Sequence, residues 1–220
     1  MKQKLLLLFL ISALIFIGQT PLSAKQEKPS LTPLEKLGQR LFNDRNLSLN
    51  GNQSCQTCHH PAAKFADPEN RFKPFLLPVS DGSVPTLFGG RNAPTAAYTK
   101  FSPPLFWDGE LFIGGLFWDG RASGNVQTAT GTLGAGPTGD PLADQAKGPF
   151  LNPVEMALGD ESDVVERVLT SSYRKRFLFE FARYHGYPYA PEHLLTAYNF
   201  ISLAIAEFEK SHVLNKFSSR

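Results

Sequence analysis

Ser54-Cys55-Gln56-Thr57-Cys58-His59 decides the reading of this chain. Its only two cysteines stand three positions apart, and a histidine follows the second at once. C-x-x-C-H is the attachment pattern of c-type haem: both thiols can bond to the vinyl groups while the adjacent imidazole reaches the iron from one face. Cys55 and Cys58 are therefore expected to hold one covalent haem c, with His59 as an axial ligand of the iron. Other uses of the same residues are weaker. A redox dithiol is possible in an oxidising compartment, but the expected βαβ surroundings are absent. A plain disulfide would close too small a loop to stabilise much. Zinc needs four ligands, and Cys55, Cys58, His59 and His60 are too crowded to supply them easily.

The opposite face of the iron decides the chemistry, because a carrier fills it with Met or His whereas a catalyst keeps it open. Beyond the N-terminal leader the chain has one methionine, Met156, which reads as core filler near a helix start. His60 is too close to His59 to cross a haem. His185, His193 and His212 lie far along the chain and read as surface or helix-packing residues. No side chain stands out as a sixth ligand, which favours an open site.

Working outward, the N-terminus reads as a secretory signal: Lys2 and Lys4, then an apolar run from Leu5 to Ile17, then a cleavage site after Ala24. That run is short for a membrane-spanning helix, which needs about 20 residues, though an uncleaved anchor stays open. Export to the periplasm is expected. Two of the 22 basic residues and none of the 20 acidic ones lie in this leader, so the remainder is formally neutral. With no basic stripe, nucleic acid is not an expected partner, and no other apolar run is long enough to span a membrane.

Thr32-Pro33-Leu34-Glu35 makes a helix start, with Thr32 as cap, Pro33 at the first turn and Glu35 closing a capping box. Leu34, Leu37 and Leu41 give that helix one buried face. From Pro61 to about Gly139 the chain is rich in Gly, Pro, Asn and Ser with interspersed aromatics, and reads as long loops packed around a large apolar object. Leu105-Phe106-Trp107-Asp108-Gly109 recurs as Leu116-Phe117-Trp118-Asp119-Gly120, with Trp107 expected in packing. Helices are predicted over 163–169 and 174–184, and a stronger one over 191–210 on the spacing of Leu194, Tyr198, Ile201, Ile205 and Phe208. No alternating strand stands out. The fold class is mainly α, a cytochrome c-like haem domain with long loops wrapping one covalent haem.

Seven segments, in order, carry a resemblance: Leu37–Phe42, the haem motif with Pro61–Phe65, Gly90–Thr95, Phe117–Arg121, Asp144–Pro149, Asn152–Met156 and Ala204–Glu209. Together they are similar to the N-terminal, peroxidatic-haem domain of bacterial di-haem cytochrome c peroxidases and their MauG-like relatives. With the signal peptide over 1–24, the resemblance implies a haem domain over 25–210 and a tail over 211–220 where the family's second haem domain would begin. It implies reduction of hydrogen peroxide, with electrons from a cytochrome or a separately encoded haem domain. Glu155 would be the distal acid/base and Gln145 the distal glutamine that hydrogen-bonds peroxide. Trp118 would carry charge between two haems. Asn92 matches a residue of a calcium site that is incomplete in this chain. Asn152-Pro153-Val154-Glu155 also reads as a capping-box helix start. Other readings are a non-catalytic haem c electron carrier or sensor, or a truncated inactive fragment of a di-haem peroxidase.

Overall fold

The computed structural model describes residues 29–117, 119–124 and 138–216. The chain divides after Ser30, and the fold that follows is that of Leu31 onward. The leader, Trp118 and residues 125–137 of the Gly/Thr-rich insertion lie outside the described residues.

Helix α1, Pro33–Phe42, begins as the sequence predicts: the Thr32 hydroxyl accepts from the Glu35 N–H, and the Glu35 carboxylate accepts from the Thr32 N–H. Its apolar face, Leu37, Leu41 and Phe42, is fully buried. It crosses the last helix, Leu194–Lys210, at a point where only glycine fits. A Cβ on Gly38 would lie 1.8 Å from the Ala204 carbonyl oxygen. This contact brings Phe42 and Phe208 together edge to face, with centroids 5.3 Å apart.

The last helix carries Ala197, Tyr198, Ile201, Ala204, Ile205 and Phe208 into one apolar core. Two helices, Glu161–Thr170 and Arg174–His185, complete that core with Val164, Val165, Val168, Phe177 and Phe181. Both cover the predicted spans with small extensions. The predicted start at 191 is a 3-10 turn, Pro191–His193, ahead of the α-helix proper. Residues 211–216 pack onto the domain: Leu214 is buried, and Asn215 accepts from the Tyr98 N–H and donates to the Glu209 and Ser211 carbonyls.

The sequence reading missed the helix Pro141–Leu151. Pro141, Gly148 and Pro149 weaken it as a pattern, but Pro141 sits in the first turn and Asp140 caps it. Tertiary contacts supply the rest. Phe150 is fully buried against Tyr198, and the Tyr198 hydroxyl donates to the Lys147 carbonyl at 2.9 Å.

Between residues 60 and 124 the described chain is mostly irregular, as expected, with a short α-helix at Pro68–Phe72, 3-10 turns at Pro61–Ala63 and Thr99–Phe101, and a two-residue antiparallel ladder, Phe106–Trp107 with Phe112–Ile113. The expectation of packed aromatics is only half met. Phe72, Phe75, Phe88, Phe101, Trp107 and Phe112 are largely exposed. Trp107 touches Phe112 edge on, and its expected packing role stops there.

Candidate functional site

Cys55–Cys58 forms a single helical turn. Ser54 opens it by donating its N–H to the Thr57 hydroxyl, and the His59 N–H closes it on the Cys55 carbonyl. One turn puts both sulfurs on one side with His59 at the end of the turn, the arrangement that local covalent attachment requires. The chain then doubles back. Lys64 and Phe65 both adopt positive φ, and His60 pairs with Ala66 across the loop. This tight return places the Phe65 carbonyl 3.1 Å from His59 Nδ1.

A carbonyl can only accept, so that contact favours the proton on Nδ1, the tautomer in which Nε2 would be the ligand atom; the Pro94 backbone is a second hydrogen-bond partner of the ring. Burial lowers the His59 pKa, which keeps the ring in the neutral form that metals bind. Phe65 O also accepts from the Ala96 N–H, and the Thr95 hydroxyl donates to Lys64 O, so the Gly90–Thr95 segment braces the loop that orients the histidine.

Both thiols are uncharged in this setting. Burial pushes Cys58 up to about 12, and burial together with Glu209 pushes Cys55 up. A thioether carries no charge, so burial of both sulfurs suits covalent attachment. The residues therefore fit covalent haem: two neutral sulfurs on one turn and a tautomer-locked imidazole beside them.

The turn carrying Glu155 lies at the end of the helix Pro141–Leu151. No helix starts there, so the capping-box reading of Asn152–Glu155 is overturned. Asn152 ends the preceding helix, and the chain folds back: Met156 N–H donates to Pro149 O and Leu158 N–H to Phe150 O. The Asn152 side chain still holds Glu155, but through its amide, which donates to the carboxylate at 2.8 Å. Burial raises the Glu155 pKa, while the Asn152 bond and the charge of Arg121 oppose the rise. The Glu155 charge in turn raises both thiols, after burial and nearer charges, so this carboxylate lies within electrostatic reach of the haem-attachment turn.

Gln145 is half-buried on the helix Pro141–Leu151, ten positions before Glu155. Its neighbours Asp144 and Lys147 form a buried ion pair at 3.2 Å. Met156 is a core residue, 3 % exposed, as read from the sequence. His185 and His193 pack in an aromatic cluster around Phe181, at 4.5 and 6.4 Å between ring centroids. Asn92 is exposed, and among the described residues no group of three or more His, Cys, Asp or Glu side chains is placed to hold a metal ion.

The sequence reading missed Glu209, a carboxylate 8 % exposed that faces the Cys55 region and is raised to about 8 by burial, with Asp140 adding. Its signal was available: Ile201, Ile205 and Glu209 follow at four-residue steps, so an acid occupies an apolar stripe. Asn152, Ser83 and the Phe65 carbonyl were also missed, since nothing local marks them.

One turn of C-x-x-C-H, a histidine held by the Phe65 carbonyl and a half-buried carboxylate are the features of a c-type haem domain. The chain belongs to the di-haem cytochrome c peroxidase family, whose profile matches residues 32–220. It is 36 % identical over 200 residues to the methylamine utilization protein MauG of Paracoccus denitrificans, covering 90 % of this chain and 46 % of that one. It is 31 % identical over 148 residues to the cytochrome c551 peroxidase of Pseudomonas aeruginosa, covering 64 % of this chain and 32 % of that one. The diheme peroxidase BthA of Burkholderia thailandensis has the same fold at a TM-score of 0.66 and 28 % identity, over 87 % of this chain and 41 % of that chain. The chain thus spans less than half the length of these relatives. Among the described residues no helix is long and apolar enough to cross a membrane.

Proposed function

We propose that this chain is the peroxidatic-haem half of a peroxide-reducing oxidoreductase, exported to the periplasm by its N-terminal leader. Cys55 and Cys58 would hold one haem c through thioether bonds, with His59 as the side chain that would ligate its iron; the bound group would supply redox chemistry toward peroxide. The observation that carries the reading is Glu155, a half-buried carboxylate held at 2.8 Å by Asn152 and electrostatically coupled to both cysteines.

Splitting hydrogen peroxide requires one oxygen to lose a proton and the other to gain it. Glu155 does both in turn, as a base in its charged form and then as an acid. Gln145 orients the peroxide by hydrogen bonding. Two electrons are needed, and a donor cytochrome or a separately encoded haem domain supplies them, with Trp118 as the relay. If the chain acts alone, the bound group would supply one electron and either Trp118 or the porphyrin the other, so a transient tryptophan or porphyrin radical would follow peroxide addition, visible by freeze-quench EPR.

The testing experiment is the optical and EPR spectrum of the ferric, haem-loaded protein before and after hydrogen peroxide. A high-spin iron that reacts, with Glu155→Gln slowing the reaction by about 100-fold or more, is the expected outcome. A low-spin iron that ignores peroxide would instead make the chain an electron carrier, a sensor or an inactive fragment.

A further inference from the structure

Glu155 does not hold its own position. Its backbone carbonyl accepts from the Ser83 N–H at 2.6 Å, and Ser83 is fully buried. The same serine is bonded to the loop that leads into the haem-attachment turn. Its hydroxyl accepts from the Asn50 N–H at 3.0 Å and donates to Asn52 Oδ1 at 2.7 Å. Its carbonyl accepts from both the Asn50 and Asn52 side-chain amides, at 2.9 and 3.0 Å. Every polar atom of Ser83 is thus committed to one of two segments, the approach to Cys55 on one side and the Glu155 turn on the other.

Two neighbours reinforce the link. Gln53, directly before Ser54, donates to the Asp81 and Gly82 carbonyls, and the Leu49 N–H donates to Met156 O. Gly82 is buried, and a Cβ there would lie 2.6 Å from the Val154 carbonyl oxygen. The closeness of the three segments therefore depends on a missing methyl group. Val154 precedes Glu155, so any displacement at Gly82 is passed straight to the turn that carries the carboxylate.

We propose that Gly82 and Ser83 are positioning residues that set the distance between the Glu155 carboxylate and the haem-attachment turn. This rests on the acid/base reading of Glu155. A buried polar knot is suited to the task because each bond lost leaves a desolvated partner, so the geometry is kept within narrow limits. Acid/base catalysis needs that precision, since proton transfer requires hydrogen-bond reach.

The test uses the haem-loaded full chain and cyanide as the probe, because hydrogen cyanide gives up a proton on binding ferric iron but undergoes no turnover. Association rates across pH are measured for the wild type, Glu155→Gln, Gly82→Ala and Ser83→Ala, with thermal unfolding alongside. The expected result is a pH-dependent rate that falls at least 10-fold and flattens in Glu155→Gln. Gly82→Ala should resemble it, and Ser83→Ala, which keeps the N–H bond to Glu155, should fall between, by about 3-fold. Ser83→Ala is the milder change and decides the matter if Gly82→Ala does not fold. Wild-type rates and pH profile in both positioning variants, with only lowered stability, would overturn the proposal while leaving the acid/base reading intact. A wild-type profile in Glu155→Gln would overturn that reading, and this proposal with it.

Discussion

Asn152 has two roles: its extended backbone ends the helix Pro141–Leu151, and its side-chain amide donates to the carboxylate that follows. The bond favours the charged form of Glu155, whereas burial favours the neutral one, and burial prevails. Replacing Asn152 by Ala removes the opposing contribution and raises the Glu155 pKa further. The base form is then reached only at higher pH, so the acid limb of the peroxide reaction should shift upward in a stopped-flow pH profile; a downward or absent shift would contradict this account. Cys55, Cys58 and His59 were legible as a candidate attachment motif at this scale because the chemistry is local and needs only one turn of chain. The environment of Glu155 was not. The same four residues, Asn152 to Glu155, satisfy a capping-box pattern, and only the return of the chain onto Pro149 and Phe150 excludes it.

Among the elements, the pair formed by Pro33–Phe42 and Leu194–Lys210 sets the frame. Gly38→Ala would place a methyl group against the Ala204 carbonyl, which cannot move away without displacing the helix. A loss of about 3 kcal/mol is expected from such overpacking, read as a lowered unfolding midpoint. The last helix also holds Glu209, whose pKa is raised from 4.5 to about 8. Between those values the folded chain binds a proton that the unfolded chain has lost, so stability falls as pH rises through this window. Glu209→Gln should remove that fall, raising the unfolding midpoint of the haem-loaded protein at pH above about 8 and changing it little under acid conditions. The capped first helix and the periodic last one were both predicted from sequence, since each carries its own start signal or apolar stripe. Pro141–Leu151 was not, because its prolines and glycine argue against a helix locally and its support comes from Tyr198 and the buried ion pair.

At the scale of the molecule, the irregular stretch leaves large apolar side chains in solvent: Phe75 is 98 % exposed and Phe112 65 %. Monomeric proteins seldom expose apolar surface of this extent without using it. Replacing Phe75, Trp107 and Phe112 by serine together should reduce self-association of the haem-loaded protein in light scattering, with stability changed by no more than about 0.5 kcal/mol per site. Unchanged association would show that these side chains do not drive it. Composition measures how apolar a segment is but not which way each side chain turns, so the exposure of these aromatics was not legible in the sequence.

By itself the sequence determined the C-x-x-C-H motif that points to haem c, the capped first helix, the buried stripe of the last and the mainly α class, all of which rest on residues within a turn or two of one another. Tertiary structure alone decided that Glu155 sits in a turn, that Phe65 locks the tautomer of His59, and that Ser83 ties the two together. The physical reason is the hydrogen bond. Within a turn its partners are set by spacing, but between segments far apart in the chain they are chosen by the packing that brings buried polar groups within reach.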